Sequence, residues 1–400
     1  MSVSTGASGR RIAVVSPFID KRHGTERRVA ECISRLADEY EFHIYSNRIE
    51  DVDSGSIVWH RIPAMPGPHL LSYLWWFIAN HIWRWRDRHF RGLVPDLVYS
   101  PGINCFDADA VTVHVVFTEF CKQMQAELQF RTTPVRSWPR LAHRRLYYRL
   151  IQFLENRIYR DPVLTIGSVS KKVVGELRSN FGCKENIRVI YQGIDHTVFN
   201  PEERAARRPQ MRRHFALVEG DFVLLLIGNG WRNKGLLCVL SALNRLPDFT
   251  WKLLVVGEDD KAPYASVIER HGMQDRVIFL KPAADVLQFY AAADVYLGPS
   301  LYDSFAQPPV EAMACGLPVI TSRTNGGSEI MADGVDGLVM RDAESDEELA
   351  RFIRRLYDEP NLRQRMSEMA AEKARQFSWE DNSAEMRELF EEAKRRKQTL

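Results

Sequence analysis

Residues 221–246 read DFVLLLIGNGWRNKGLLCVLSALNRL. The apolar run Phe222–Ile227 leads into a glycine-containing turn, and Gly235–Leu246 then reads as a helix. A run with no polar alternation marks a strand covered on both faces, as in a parallel sheet. The rhythm continues with WKLLVVG at 251–257, a helical piece around Tyr264–Gly272, RVIFL at 276–280 and DVYLGPS at 294–300. A helix over Pro309–Cys315 and PVITS at 318–322 complete it. Strands alternating with helices predict repeated βα units around a parallel sheet.

The amino-terminal half repeats the pattern. RIAVVSPF at 11–18 is followed by a turn around His23–Gly24 and a stretch whose Val29, Ile33, Leu36 and Ala37 share one helical face. Short apolar segments recur at 41–46, 96–100, 110–116, 164–168 and 186–191. The chain's 400 residues exceed what one core usually fills, and the polar, Arg/Pro-rich passage from Asn200 to Arg213 lies between the halves. The expected division is 1–195, 196–375, and a returning carboxyl-terminal helix over 376–400.

Composition narrows the function. With 54 Lys+Arg against 52 Asp+Glu the net charge is only +2, too little to coat nucleic acid, so no nucleic-acid partner is expected. Six scattered cysteines form no CxxC, which speaks against a zinc knuckle or disulfide scaffold and for a reducing, cytoplasmic setting. The most apolar stretch, Leu70–Ala79, is too short to cross a bilayer as a helix.

The densest chemical signal is DSFAQPPVEAMACGLPVI, Asp303–Ile320. Pro309 suits the first turn of a helix and Gly316 its termination. A carboxylate such as Glu311 can accept hydrogen bonds from sugar or ribose hydroxyls. On spacing alone a solvated acidic pair at a corner between helix and strand is the favoured reading. In Gly228–Gly235, GNGWRNKG, Arg232 and Lys234 flank a glycine turn and could neutralise a diphosphate; a solvated surface pair is the competing reading.

Asp303–Ile320 resembles the signature of retaining, nucleotide-sugar-dependent glycosyltransferases of family 4, which carry two facing Rossmann-like domains in the GT-B arrangement. Phe305 and Glu311–Ile320 fit that signature; Asp303 stands where Glu is usual and Ala306 where Gly is usual. The resemblance implies that Asp303 lies near the donor sugar, that Glu311 binds the nucleotide ribose, and that Lys234 clamps the diphosphate. Arg232 is an alternative placement of the family's arginine, since Asn229 occupies the commoner position. Gly230 belongs to the same donor loop, and Gly24, of the family's Gly-Gly turn, faces donor phosphate or acceptor. The resemblance also turns His114, otherwise a core histidine of DAVTVHVVF, into an active-site group that bonds a sugar hydroxyl or moves a proton with a pKa near neutrality. Gly193 and Asp195 of QGID match the crossing between domains, and Trp379 reads as a packing anchor of the returning helix.

The expected fold is thus α/β, GT-B, with the last helix returning across both domains. The expected activity moves a hexose from a nucleoside-diphosphate sugar to a glycan or glycolipid hydroxyl with retention, UDP-sugar being the first donor to test and GDP-sugar the second, without a metal or other cofactor. A sugar-nucleotide epimerase, or a non-catalytic protein that binds sugar nucleotide or membrane, is the alternative. From 131 to 160 eight arginines face one acid, Glu155, with aromatic residues between them. That mixture suits an anionic membrane surface, hence a peripheral location on the cytoplasmic face. Tyr73–Trp85, with Arg84, Arg86, Arg88 and Arg91, is a second candidate contact.

Overall fold

The computed structural model describes residues 10–21, 24–53, 55, 57–123, 138–183 and 187–399. By internal contacts the chain forms two units, 1–193 with 379–400, and 194–378. His23, Arg131 and Arg136 lie outside the described residues.

The first unit holds seven parallel strands in the spatial order Ile57–Arg61, Tyr40–Ser46, Arg10–Val15, Leu97–Pro101, Ala110–Val113, Thr165–Ser168 and Ile187–Val189. Numbered along the chain this is 3-2-1-4-5-6-7, which places the reversal of strand order beside the first strand, where α/β sheets bind ligands. Alternate residues of Arg10–Val15 feed two cores. Ile12 and Val14 pack with Val29, Ile33 and Leu36 of helix Gly24–Leu36 and with Met386, Leu389 and Phe390 of helix Trp379–Gln398. Ala13 and Val15 pack with Trp76 and Ala79 of helix His69–Arg91.

The second unit orders its six parallel strands Val277–Leu280, Trp251–Val256, Phe222–Ile227, Val295–Gly298, Val319–Ser322 and Leu338–Met340, again 3-2-1-4-5-6. All six residues of Phe222–Ile227 are buried, as the apolar run requires. Leu224 and Leu226 share a core with Leu240 of helix Leu236–Asn244 and with Leu349 and Ile353 of helix Asp346–Asp358.

Residues 200–213, the polar Arg/Pro-rich passage between the halves, are mostly helix, Pro201–His214, and the units divide at 193/194. Asn200 caps that helix through the Glu203 amide at 2.8 Å. None of its residues is fully buried; it is held by arginines four apart. Arg204 Nη2 and Arg208 Nη1 donate to the Ala293 carbonyl at 2.8 and 2.7 Å, just beyond helix Leu287–Ala292, and Arg212 donates to the Asp221 carbonyl at 2.9 Å. Cations at a helix's carboxyl end meet its unpaired carbonyls and its dipole.

Gly193 shows why the crossing needs glycine: a Cβ there would lie 2.6 Å from the backbone N and Cα of Trp379. Asp195 braces the turn beyond, its Oδ1 accepting from the Thr197 hydroxyl at 2.6 Å and amide at 3.0 Å. Trp379 is 1% exposed, an anchor at the start of the last helix, which packs into the first unit.

Candidate active site

The loop after Phe222–Ile227 and the loop after Val295–Gly298 meet at the carboxyl ends of neighbouring strands. Lys234 Nζ lies 2.6 Å from Asp303 Oδ2, both side chains mostly covered. Asn233 fixes the approach from three sides: its Nδ2 donates to the Tyr302 carbonyl (2.7 Å), its Oδ1 accepts from the Tyr302 amide (3.2 Å), and its carbonyl accepts from the Leu301 amide (2.7 Å). Gly235 closes the loop in the left-handed region at φ +79°, where a Cβ would stand 2.2 Å from the Pro299 carbonyl oxygen. The backbone thus sets where the Lys234 ammonium points.

Glu311 sits on helix Gln307–Ala314 and is 6% exposed. The buried Tyr290 hydroxyl donates to Glu311 Oε2 at 2.9 Å, and burial together with the Glu311 charge drives the Tyr290 pKa well above its ordinary value. Tyr296 is likewise buried, its pKa raised by burial and by the Asp303 charge. Of these two tyrosines on successive elements, Tyr290 bonds Glu311 directly, while the Tyr296 hydroxyl turns to the Ile227 carbonyl at 3.5 Å. Sequence reading missed this role, although a hydroxyl six residues from the next in the apolar FYAAADVY stretch was its signal.

The segment after Val319–Ser322 completes the support. Asn325, fully buried, accepts from the Gly327 and Ala306 amides through Oδ1 at 2.9 and 3.2 Å, and the Gly326 amide donates to the Asp303 carbonyl at 2.9 Å. Ala306 takes φ −72°, ψ 130°, an ordinary extended conformation, so alanine replaces the family's glycine here without backbone strain. Glu329 is half-buried in the 3-10 turn Gly326–Ile330.

Other candidates take different places. Arg232 is exposed, and its charge lowers the Tyr264 hydroxyl pKa against the larger effect of burial. Gly230, at φ +74°, donates its amide to Asp259 Oδ2 at 2.8 Å, so it serves the turn and its amide is already engaged. Gly24, in the first unit, is exposed as the first residue of its helix; it lacks a positive φ, and a Cβ on it would meet nothing within 4 Å. Its expected turn therefore makes no demand for glycine.

His114 belongs to the first unit and lies one residue past Ala110–Val113. Its Nε2 is 3.4 Å from Thr112 Oγ1, which bonds the Tyr99 hydroxyl at 2.8 Å. Burial, and secondarily the charge of the buried Arg28, hold its pKa well below the ordinary value. This corrects the expectation of a pKa near neutrality: the ring is neutral at pH 7 and offers a hydrogen bond, not a charge. Among the described residues no group of three or more His, Cys, Asp or Glu is placed to hold a metal ion.

Comparison with known proteins places this arrangement. Residues 22–198 match the family described as Glycosyltransferase Family 4, and residues 207–373 match Glycosyl transferases group 1. The D-inositol 3-phosphate glycosyltransferase of Arthrobacter sp. (strain FB24) is 34% identical over 219 residues, 52% of this chain and 51% of that protein. The chain spans about half the length of the first curated relatives it matches. Among solved structures, WaaG, a glycosyltransferase involved in lipopolysaccharide biosynthesis, superposes with a TM-score of 0.73 at 20% identity, covering 91% of this chain and 95% of its own. Anabaena Alr3699/HepE in complex with UDP-glucose gives a TM-score of 0.69 at 20% identity, covering 95% and 99%. The fold is that of the GT-B enzymes. The chain belongs to the family 4, group 1 glycosyltransferases.

Proposed function

We propose that the protein moves a hexose from a nucleoside-diphosphate sugar to a hydroxyl of a glycan or glycolipid with retention of anomeric configuration. The Lys234–Asp303 pair, backed by Glu311 on the signature helix, carries this reading. The complexes of Alr3699/HepE with UDP and with UDP-glucose support a nucleotide-sugar donor; UDP-sugar is the first donor proposed, and GDP-sugar is the second. The second unit holds the donor. Lys234, helped by Arg232, meets the charge that grows on the diphosphate as its bond to the anomeric carbon breaks. Asp303 stays beside the reacting sugar and Glu311 accepts from the ribose hydroxyls.

The acceptor hydroxyl attacks the anomeric carbon from the face the diphosphate leaves. A departing phosphate oxygen takes its proton, so one C–O bond breaks as another forms, and no protein nucleophile is required. His114, kept neutral, bonds a sugar hydroxyl. A cytoplasmic place and a role in building lipopolysaccharide or another polysaccharide belong to the same proposal.

The experiment is a donor panel with glycan and membrane glycolipid acceptors, read as released nucleoside diphosphate together with a new glycoside whose anomeric configuration is assigned by NMR. An epimerised sugar nucleotide without glycoside, or donor binding without turnover, would reject transfer. Glu311→Gln should weaken donor binding more than it slows turnover at saturating donor.

A further inference from the structure

Helix His69–Arg91 turns Trp76, Phe77 and Ala79 inward, while Leu71, Ile78, Ile82 and Trp85 stay about half exposed, at 50%, 54%, 49% and 55%. Steps of seven, four and three residues put these four in one line along the outer face. Scattered exposed apolar residues need no explanation, but a continuous line does. Phe90, 76% exposed, meets Trp85 edge to face at the carboxyl end, ring centroids 5.9 Å apart.

The charges sort the same way. The helix's one acid, Asp87, is fully buried and bound to His60 Nδ1 at 2.6 Å, while Arg86, Arg88 and Arg91 crowd its last turns. Helix Trp138–Ile158 meets it through Tyr73 and Tyr147, edge to face at 5.9 Å. There too the one acid, Glu155, is buried and accepts from the Phe117 and Thr118 amides, while Leu146, Arg149 and Phe153 face outward. Two adjoining helices therefore show apolar and cationic groups and no exposed carboxylate.

We propose that helix His69–Arg91 lies in the plane of an anionic lipid bilayer, with the line Leu71, Ile78, Ile82 and Trp85 at the boundary between headgroups and acyl chains. Arg88 and the neighbouring helix's Arg149 and Arg157 meet the headgroups. An apolar line flanked by cations, with the exposed carboxylate beside it, Asp107, held by Arg84 at 2.7 Å, suits a helix that rests in an interface. No helix among the described residues is long and apolar enough to cross a membrane, so the contact is peripheral. The sequence drew attention first to the arginines of 131–160 and second to Tyr73–Trp85; the structure adds that the outward apolar line lies on the second of these. The inference deepens the glycolipid half of the proposed function, and vesicle binding tests it independently of turnover.

The full chain is floated with phosphatidylcholine vesicles with and without phosphatidylglycerol. Wild type should bind the anionic vesicles and release with salt. A variant carrying Ile78→Gln, Ile82→Gln and Trp85→Gln should bind about tenfold less or weaker still, and one carrying Arg88→Gln, Arg149→Gln and Arg157→Gln should lose the preference for anionic lipid. Should the apolar variant fail to fold, quenching of wild-type tryptophan fluorescence by brominated lipid, diminished in Trp85→Phe, reads the same contact. Wild-type-like binding by the apolar variant, no quenching attributable to Trp85, or a wild-type dimer that the variant breaks while vesicles stay unbound would overturn the proposal.

Discussion

Lys234 answers to two partners: Asp303 at 2.6 Å and, in the proposed reaction, a donor diphosphate that wants the same ammonium. Lys234→Ala removes the charge on which leaving-group stabilisation relies and leaves Asp303 to repel the donor. Turnover should fall about 100-fold to 1,000-fold, as when one oxyanion donor is deleted. Asp303→Asn separates binding from chemistry: Lys234 loses its competing carboxylate, so diphosphate affinity should hold or rise while turnover falls. Calorimetric titration with nucleoside diphosphate beside initial rates checks both. Weaker diphosphate binding by Asp303→Asn would show that the pair is a structural strut and no donor clamp.

Among the elements, the glycine loop depends most on a single atom. Gly235→Ala would bring a Cβ 2.2 Å from the Pro299 carbonyl oxygen at φ +79°, and neither backbone can yield cheaply. A loss of about 2–4 kcal/mol in the second unit, combining left-handed strain with overpacking, is expected in chemical denaturation. The sequence showed this loop because a buried strand must end in a turn, and Lys234 was legible beside it. It also showed the strand rhythm, since parallel strands buried on both faces are written as apolar runs. Helix Pro201–His214 was not legible because it has no apolar face and leans on carbonyls far along the chain. Strands Ile57–Arg61 and Leu338–Met340 also escaped the reading: both stand at sheet edges and are short, and the first has mixed polarity. Tyr290 under Glu311 escaped because a hydroxyl's partner is set by packing, which spacing does not record.

Across the whole molecule, the two units should respond differently to acid. In the first, His43 Nδ1 is 2.9 Å from His60 Nε2, and the chain runs on to Glu41 at one end and Asp87 at the other. Burial lowers the pKa of both rings, against the opposing pull of Glu41 on His43 and of Asp87 on His60. Burial lowers His114 further. A lowered folded pKa means that the stability is present above the unfolded value near 6.5 and is lost as pH falls below it toward the folded values. Each ring contributes a slope of at most about 1.4 kcal/mol per pH unit. Urea titrations from pH 7 to 5 should show the first unit weakening while the second changes less. His43→Asn should flatten the slope, and an unchanged slope would acquit the pair.

The last helix makes the chain's two ends one folding unit. Met386, Leu389 and Phe390 complete the core beneath Ile12, Val14 and Tyr99, and the first strand pairs with Tyr40–Ser46, so the unit's core depends on residues more than 350 positions apart. Fully burying each of these three side chains is worth about 1.5–3 kcal/mol, and together they approach the whole stability of an ordinary domain. A chain ending at Ser378 should therefore lose the first unit's cooperative transition altogether. The second unit, whose described contacts run from 194 to 378, keeps its strands and the Lys234–Asp303 pair and should still melt cooperatively. Differential scanning calorimetry with and without nucleoside diphosphate tests this: the remaining transition should move up with ligand as in the full chain. Retention of both transitions would show that the amino-terminal sheet closes its core without the returning helix, and loss of both would show that the second unit depends on the first.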